Sequence, residues 1–179
     1  MEFVLGHEFD SKEQTEDFLK RSQTFDHMLT IEKEKESNKS PPKPFNTSRL
    51  LQTASNMLHT NPKQTMQICQ TLYQSGLITY MRTESTKYAP PFLDSMESYI
   101  EKEFGKDYIG KLDLIKNKDK NNPHEAIRVT DIHVTNIPNK KEAAMYRLIW
   151  RNTIESCMSD AKYMVTPLKI SAPSINDNN

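Results

Sequence analysis

Residues 44–86, PFNTSRLLQTASNMLHTNPKQTMQICQTLYQSGLITYMRTEST, carry the pattern that decides the fold. Leu50, Leu51, Ala54, Met57 and Leu58 recur at intervals of three and four, which predicts an amphipathic helix over 48–59 with Thr47 as its cap. Asn61 followed by Pro62 predicts a second helix: a capping side chain, then a proline where the missing N–H costs nothing. Met66, Cys69, Leu72 and Tyr73 mark its apolar side. Gly76 marks its end, because glycine readily takes the left-handed conformation that closes a helix. From Leu77 to Met81 the period changes to two, a short strand. Two helices, a tight turn and a strand make a winged-helix or helix-turn-helix shape.

Working outward, Phe3 to His7 and Phe25 to Glu32 read as strands flanking a helix over 13–22. That helix has Ser11 and Gln14 spaced as a capping box, and Phe18 and Leu19 on its apolar side. Residues 33–44 are charged and then proline-rich, and read as a linker. Ala89-Pro90-Pro91 starts a further helix, with Phe92, Met96, Tyr99 and Ile100 inward, closed by Gly105. Residues 112–122 hold a polar loop tip, and 126–134 an extended piece. Residues 140–160 form a long helix with Ala144, Leu148, Trp150, Ile154 and Met158 among its apolar positions, and 163–170 a last strand before a frayed tail. The fold class is α+β and mainly α: a winged-helix-like helical lobe with short strands, and a partial second lobe of strands and helix.

Composition sets limits. The chain has 179 residues, enough for one domain with an appended lobe. Lysine plus arginine equals aspartate plus glutamate at 24 each, which excludes binding to nucleic acid by a bulk basic coat. The zero conceals a split, however. Residues 1–40 hold six bases against ten acids, a net −4, whereas residues 41–90 hold five bases against Glu84 alone, a net +4. Only that second block suits a polyanion. A mean hydropathy of −0.77 and short apolar runs exclude a membrane-spanning helix. Two cysteines, Cys69 and Cys157, are too few for a disulfide framework, so the expected compartment is intracellular and reducing, hence cytoplasmic. Cys69, on an apolar helix face, reads as an inert buried thiol.

The basic block ends in Tyr80-Met81-Arg82. On a strand, Tyr80 and Arg82 share a face. A phenol becomes a useful nucleophile when a cation or base is near, and arginine grips phosphate through two parallel donors. Tyr-x-Arg is thus a candidate phosphoryl-transfer pair. The N-terminus of the helix at Thr47 and Ser48 is a candidate anion site, or capping alone. No Walker A, GxGxxG, GxSxG or HExxH motif is present, and the five histidines lack ligand spacing.

Three ordered segments then resemble the nucleophile-bearing region of type IA DNA topoisomerases, closest to the bacterial topoisomerase I branch. The family's ITYMRTDS motif is matched by Ile78-Thr79-Tyr80-Met81-Arg82-Thr83-Glu84-Ser85. Its Pro-Phe-x-Thr-Ser pattern is matched by Pro44-Phe45-Asn46-Thr47-Ser48, and its His-Glu-Ala-Ile-Arg-Pro box by His124-Glu125-Ala126-Ile127-Arg128-Val129. The resemblance implies that Tyr80 attacks a single-strand phosphodiester and keeps the 5′-phosphate. It implies that Arg82 stabilises the phosphate's charge and that His124 contacts the backbone or assists proton movement. Thr47, Ser48, Arg49, Thr83, Glu84, Ser85 and Arg128 would lie along the DNA, with Arg128 and Glu125 orienting their box. Glu84 and Val129 depart from the family's Asp and Pro, and an ion pair between Glu84 and Arg82 is expected.

The same resemblance implies three parts. Residues 1–43 would be a strand–helix–strand piece of the gate lobe with a linker, 44–138 the catalytic-tyrosine domain, and 139–179 a helix and strand returning to the gate or neck. It also implies a Toprim domain elsewhere in the enzyme that holds Mg2+ and the acid–base groups. No metal or other cofactor is expected on this chain. Its partners would be single-stranded DNA, the Toprim domain and the remaining gate domains, with no membrane. The chain would be a central fragment with little relaxation activity alone. The alternative is a winged-helix DNA-binding module without catalysis.

Overall fold

The computed structural model describes residues 2–119 and 124–174. Part of the polar tip read at 112–122, namely residues 120–122, lies outside the described residues, as does the tail beyond Ser174. The described residues are mainly helical with a few short strands, as the pattern predicts. Among the described residues there are five α-helices: α1 Lys12–Gln23, α2 Thr47–Leu58, α3 Pro62–Gln74, α4 Pro90–Phe104 and α5 Lys140–Glu155. The strands are β1 Leu29–Ile31, β2 Lys35–Lys39, β3 Ala161–Val165 and β4 Leu168–Ile170. None of these helices is long and apolar enough to cross a membrane.

The chain divides into two compact units, residues 1–38 with 162–179, and residues 39–161. In the first unit Ser11 caps α1, its Oγ accepting the Gln14 N–H at 3.2 Å. Phe18 is buried against Phe9, while Leu19, expected beside it, is exposed. β1 runs antiparallel to β4, with Leu29 opposite Ile170 and Ile31 opposite Leu168. β2 pairs with β3.

Several strand expectations are corrected. Phe3 to His7 forms no strand: Val4 is 95% exposed and the segment has no ladder partner among the described residues. The second strand shrinks from 25–32 to β1. The charged stretch read as a linker contains β2, every residue of it exposed, so ladder hydrogen bonds rather than burial hold it extended. The single strand expected over 163–170 is two, broken at Thr166-Pro167, where proline cannot donate to a ladder.

The second unit has one apolar core. It takes Leu50 and Ala54 from α2, Cys69 and Leu72 from α3, Leu93, Met96 and Ile100 from α4, and Met145 and Ile149 from α5. The long helix assigned by sequence to the returning segment therefore packs in this unit, with α2 and α3, because its apolar stripe has its counterpart there. Asn46, not Thr47, caps α2, its Oδ1 accepting the Arg49 N–H at 3.0 Å; Thr47 is the first helical residue. Asn61 caps α3 as expected. Met57 and Tyr73, expected in the core, are 55% and 41% exposed, and Ala144 is exposed too, since each sits at the rim of its helix's apolar stripe. Buried polar groups are answered: the Tyr88 hydroxyl meets Ser156 Oγ at 3.0 Å, and among the described residues no buried side-chain polar atom lacks a partner. Burial pushes the Cys69 and Cys157 thiols up to about 12, so neither is a nucleophile.

Gly110 sits where two segments touch. Its N–H donates to Cys157 O at 2.9 Å, and a Cβ there would collide with the main-chain carbonyl of Met158. Gly110→Ala should therefore cost about 1–3 kcal/mol of stability, read as a fall in Tm with the far-UV spectrum retained.

His27, in the first unit, lies between two carbonyls, Ser171 O at 2.7 Å and Ser22 O at 3.0 Å. A neutral imidazole can donate to only one of them, whereas the imidazolium donates to both. The Ser171 and then the Ser22 carbonyl accordingly raise its pKa above the ordinary histidine value. A raised folded-state pKa adds stability that is full below about pH 6.5 and is lost as pH rises through the folded value. An NMR titration should place His27 above a free histidine, and the β1–β4 amides should exchange more slowly at mildly acidic pH than expected from intrinsic rates.

Candidate active site

The three motif segments, distant in sequence, meet at one extended stretch, Ala126 to Val129. On one side Ile127 donates its N–H to Phe45 O at 2.7 Å. On the other, Ile78 bridges Val129, with Thr79 N donating to Arg128 O at 2.9 Å and Thr130 N to Leu77 O at 3.1 Å. Asn152 of α5 holds the Phe45 end, accepting the Phe45 N–H at 3.1 Å. The expected strand over 77–81 is thus a single bridge. Side-chain hydroxyls take over where ladder bonds would continue.

Two threonines flank Tyr80 and use the same three-point grip. Thr79 donates its N–H to Arg128 O; its Oγ1 donates to Ala126 O at 2.9 Å and accepts the Arg128 N–H at 3.0 Å. Thr47, at the start of α2, donates its N–H to Thr83 O at 3.0 Å. Its hydroxyl proton is shared between Met81 O at 2.9 Å and Thr83 O at 3.1 Å, and Oγ1 accepts the Thr83 N–H at 3.0 Å. Tyr80 is held between these brackets, with Ile78, Met81 and Thr83 buried and Tyr80 and Arg82 outward. Burial alternates from Tyr80 to Thr83; Ile78, which period two would place on the face of Tyr80, is buried instead.

The α3 end delivers the chain to this point. Leu77 N donates to Leu72 O and Gly76 N to Tyr73 O, both at 2.9 Å, a Schellman closure with Gly76 at φ +71°. The chain folds back so that the ring of Tyr80, a residue 44% exposed, meets the Tyr73 ring edge to face at 5.2 Å.

Arg82, Thr83, Glu84, Ser85, Lys87 and His124 line one open cleft of about 610 Å³. The expected Arg82–Glu84 ion pair is absent: Glu84 Oε2 accepts from Asn46 Nδ2 at 3.4 Å, and Arg82 has no ion pair among the described residues. Ser85 and Thr83 shape the cleft wall, Ser85 N donating to Thr83 Oγ1 at 3.1 Å. Arg128 is turned elsewhere. Its Nε and Nη2 donate to the two carboxylate oxygens of Glu125 at 3.0 and 2.8 Å, and its guanidinium lies 3.9 Å from the centre of the Phe92 ring. Glu125 also accepts the Ala89 N–H at 3.3 Å, so this pair fastens the start of α4 to the box. Ser48 is exposed on the first turn of α2. Arg49 lines a different cleft of about 310 Å³ with Gln52, Met57 and Arg151. Among the described residues no three His, Cys, Asp or Glu side chains converge as a metal site would require.

The family sequence profile for DNA topoisomerase matches residues 3–178. The chain belongs to the bacterial type IA DNA topoisomerase family. It is 36% identical over 180 residues to DNA topoisomerase 1 of Haemophilus influenzae, covering 93% of this chain and 20% of that protein. It is 34% identical over 168 residues to DNA topoisomerase 1 of Escherichia coli, covering 90% and 19%. Full-length topoisomerase I from Thermotoga maritima superposes with a TM-score of 0.64 at 28% identity, over 96% of this chain and 32% of that one. The chain therefore spans about a fifth of the length of these curated topoisomerase relatives.

In the sequence Thr47 reads as an anion site or a cap, whereas its hydroxyl binds Met81 and Thr83; Thr79, Lys87 and Asn46 carry no such reading there. The available signal was the pair of threonines flanking Tyr80-Met81, at Thr79 and Thr83, but their partners lie in other segments. Replacing Thr79 by valine keeps the shape and strands the Arg128 N–H and Ala126 O. It should cost about 1–3 kcal/mol and speed hydrogen exchange at Arg128 above all other amides in the box.

Proposed function

We propose that this chain supplies the nucleophile of a type IA topoisomerase that breaks and rejoins one DNA strand. The Tyr80 hydroxyl gives up its proton as its oxygen bonds to a backbone phosphorus, the P–O3′ bond breaks, the 3′-oxygen leaves and takes up a proton, and the 5′-phosphate stays on tyrosine. Reversal restores the strand. One phosphodiester is exchanged for another, so no nucleotide hydrolysis is needed. The observation that carries this reading is Tyr80 itself: an exposed residue on a main chain fixed on both sides, two residues from an arginine with no ion pair among the described residues.

In this reading Arg82 stabilises charge on the scissile phosphate, and His124, on the same cleft, contacts the backbone or moves the leaving proton. Thr83, Glu84 and Ser85 border the strand's path, with Ser48 and Arg49 at its edge. Thr47 and Arg128 position the segments that carry these groups. Mg2+ and the remaining acid–base groups belong to a Toprim domain outside these 179 residues, and the gate domains are further partners. The substrate is single-stranded DNA met through its phosphates and bases, in whichever cell compartment holds it.

The test joins this chain to a separately made Toprim fragment with Mg2+ and a labelled single-stranded oligonucleotide. A covalent adduct should form, vanish in Tyr80→Phe and slow about 10²–10³-fold in Arg82→Ala. Salt-sensitive oligonucleotide binding without an adduct would instead support a DNA-binding module without catalysis.

A further inference from the structure

We infer that Tyr73 is a positioning residue for Tyr80, fixing the direction of its phenol through the edge-to-face contact of their rings. This rests on Tyr80 being the nucleophile. The two threonine brackets fix the main chain at Thr79 and at Met81–Thr83, which leaves the side-chain torsions of Tyr80 as its free coordinates. A change of staggered rotamer sends the hydroxyl in another direction altogether. With 44% of the residue exposed, little core packing opposes such a change. The Tyr73 ring does: the centroids are 5.2 Å apart and the planes 62° apart, within the favoured range for a T-shaped pair.

Tyr73 is itself well anchored. It lies in the last turn of α3, and its carbonyl closes the Schellman turn by accepting the Gly76 N–H at 2.9 Å. Its helical spacing with Cys69 and Leu72 predicts a core residue, yet 41% of it is exposed. The contact with Tyr80 accounts for a large aromatic at that rim position. The same fold-back turn that ends α3 therefore sets both the main-chain entry to Tyr80 and the ring that it leans on.

The experiment uses this chain with isotope-labelled tyrosine and reads the Tyr80 χ1 from three-bond couplings. The wild type and Tyr73→Phe should show one rotamer. Tyr73→Leu should show averaging, with the Thr79 and Met81 amide signals and Tm nearly unchanged. Tyr73→Gln, a second ringless helix former, provides the same reading should the leucine variant fold poorly. In the adduct assay with the Toprim fragment, Tyr73→Leu should slow single-turnover adduct formation about 2–12-fold at unchanged oligonucleotide Kd, and Tyr73→Phe should restore it. A single Tyr80 rotamer in both ringless variants overturns the inference, as does averaging in the wild type or a variant adduct formed at the wild-type rate. A wild type that forms no adduct at all overturns the nucleophile reading, and with it the purpose assigned to the contact.

Discussion

The second unit depends on a four-residue stretch that is bonded on both sides. Ala126 to Val129 has Phe45 along one edge and Ile78 along the other, with Ile127 and Val129 fully buried. Because successive main-chain groups of an extended segment point to opposite edges, one short stretch can hold two partners at once, and Thr47 ties the same two segments to each other at Met81 and Thr83. The segment before α2, the segment after α3 and the box itself become one piece. The α2–α3–α5 packing then has a fixed platform on one side, and Tyr80 projects from an irregular stretch that is bonded to that platform at Thr79.

Departures from the family pattern are absorbed locally. Val129 stands where the family has proline, and so brings an N–H that proline lacks. Thr153 of α5 answers it, its Oγ1 accepting that N–H at 3.4 Å while donating to Ile149 O at 2.8 Å. Glu84, longer than the family's aspartate, reaches the capping residue Asn46 instead of the neighbouring arginine. Arg82 is thereby left without an internal counter-charge among the described residues. Arg128, by contrast, has a bidentate carboxylate and an aromatic face, which suits a part that holds geometry.

The helices were legible in the sequence because their signals are local. Periodicity and caps lie within four residues of one another, and α2 to α5 follow them closely. Strand extent was not legible, since a strand exists only where a distant partner pairs with it. Phe3 to His7 has strand composition and no partner; Lys35–Lys39 has linker composition and a partner in β3. The candidate site was legible only as residue types in order; that Arg82, Thr83, Glu84, Ser85 and His124 line one cleft is seen only in the structure. The function of the threonines was not legible. Thr47 and Thr79 act on groups 34 to 49 positions away, and nothing in a hydroxyl residue's neighbourhood announces such a partner.

The paired brackets also have a mechanical consequence. A pull applied at the Tyr80 side chain enters the main chain between two anchorages, one on the box and one on the first turn of α2. Tension is divided between them within three residues in either direction, so neither the end of α3 nor the approach to α4 is stretched. The ring is thus mounted as a cleat is mounted on a deck, fastened fore and aft, and a load on it reaches both fastenings before it reaches either neighbouring helix.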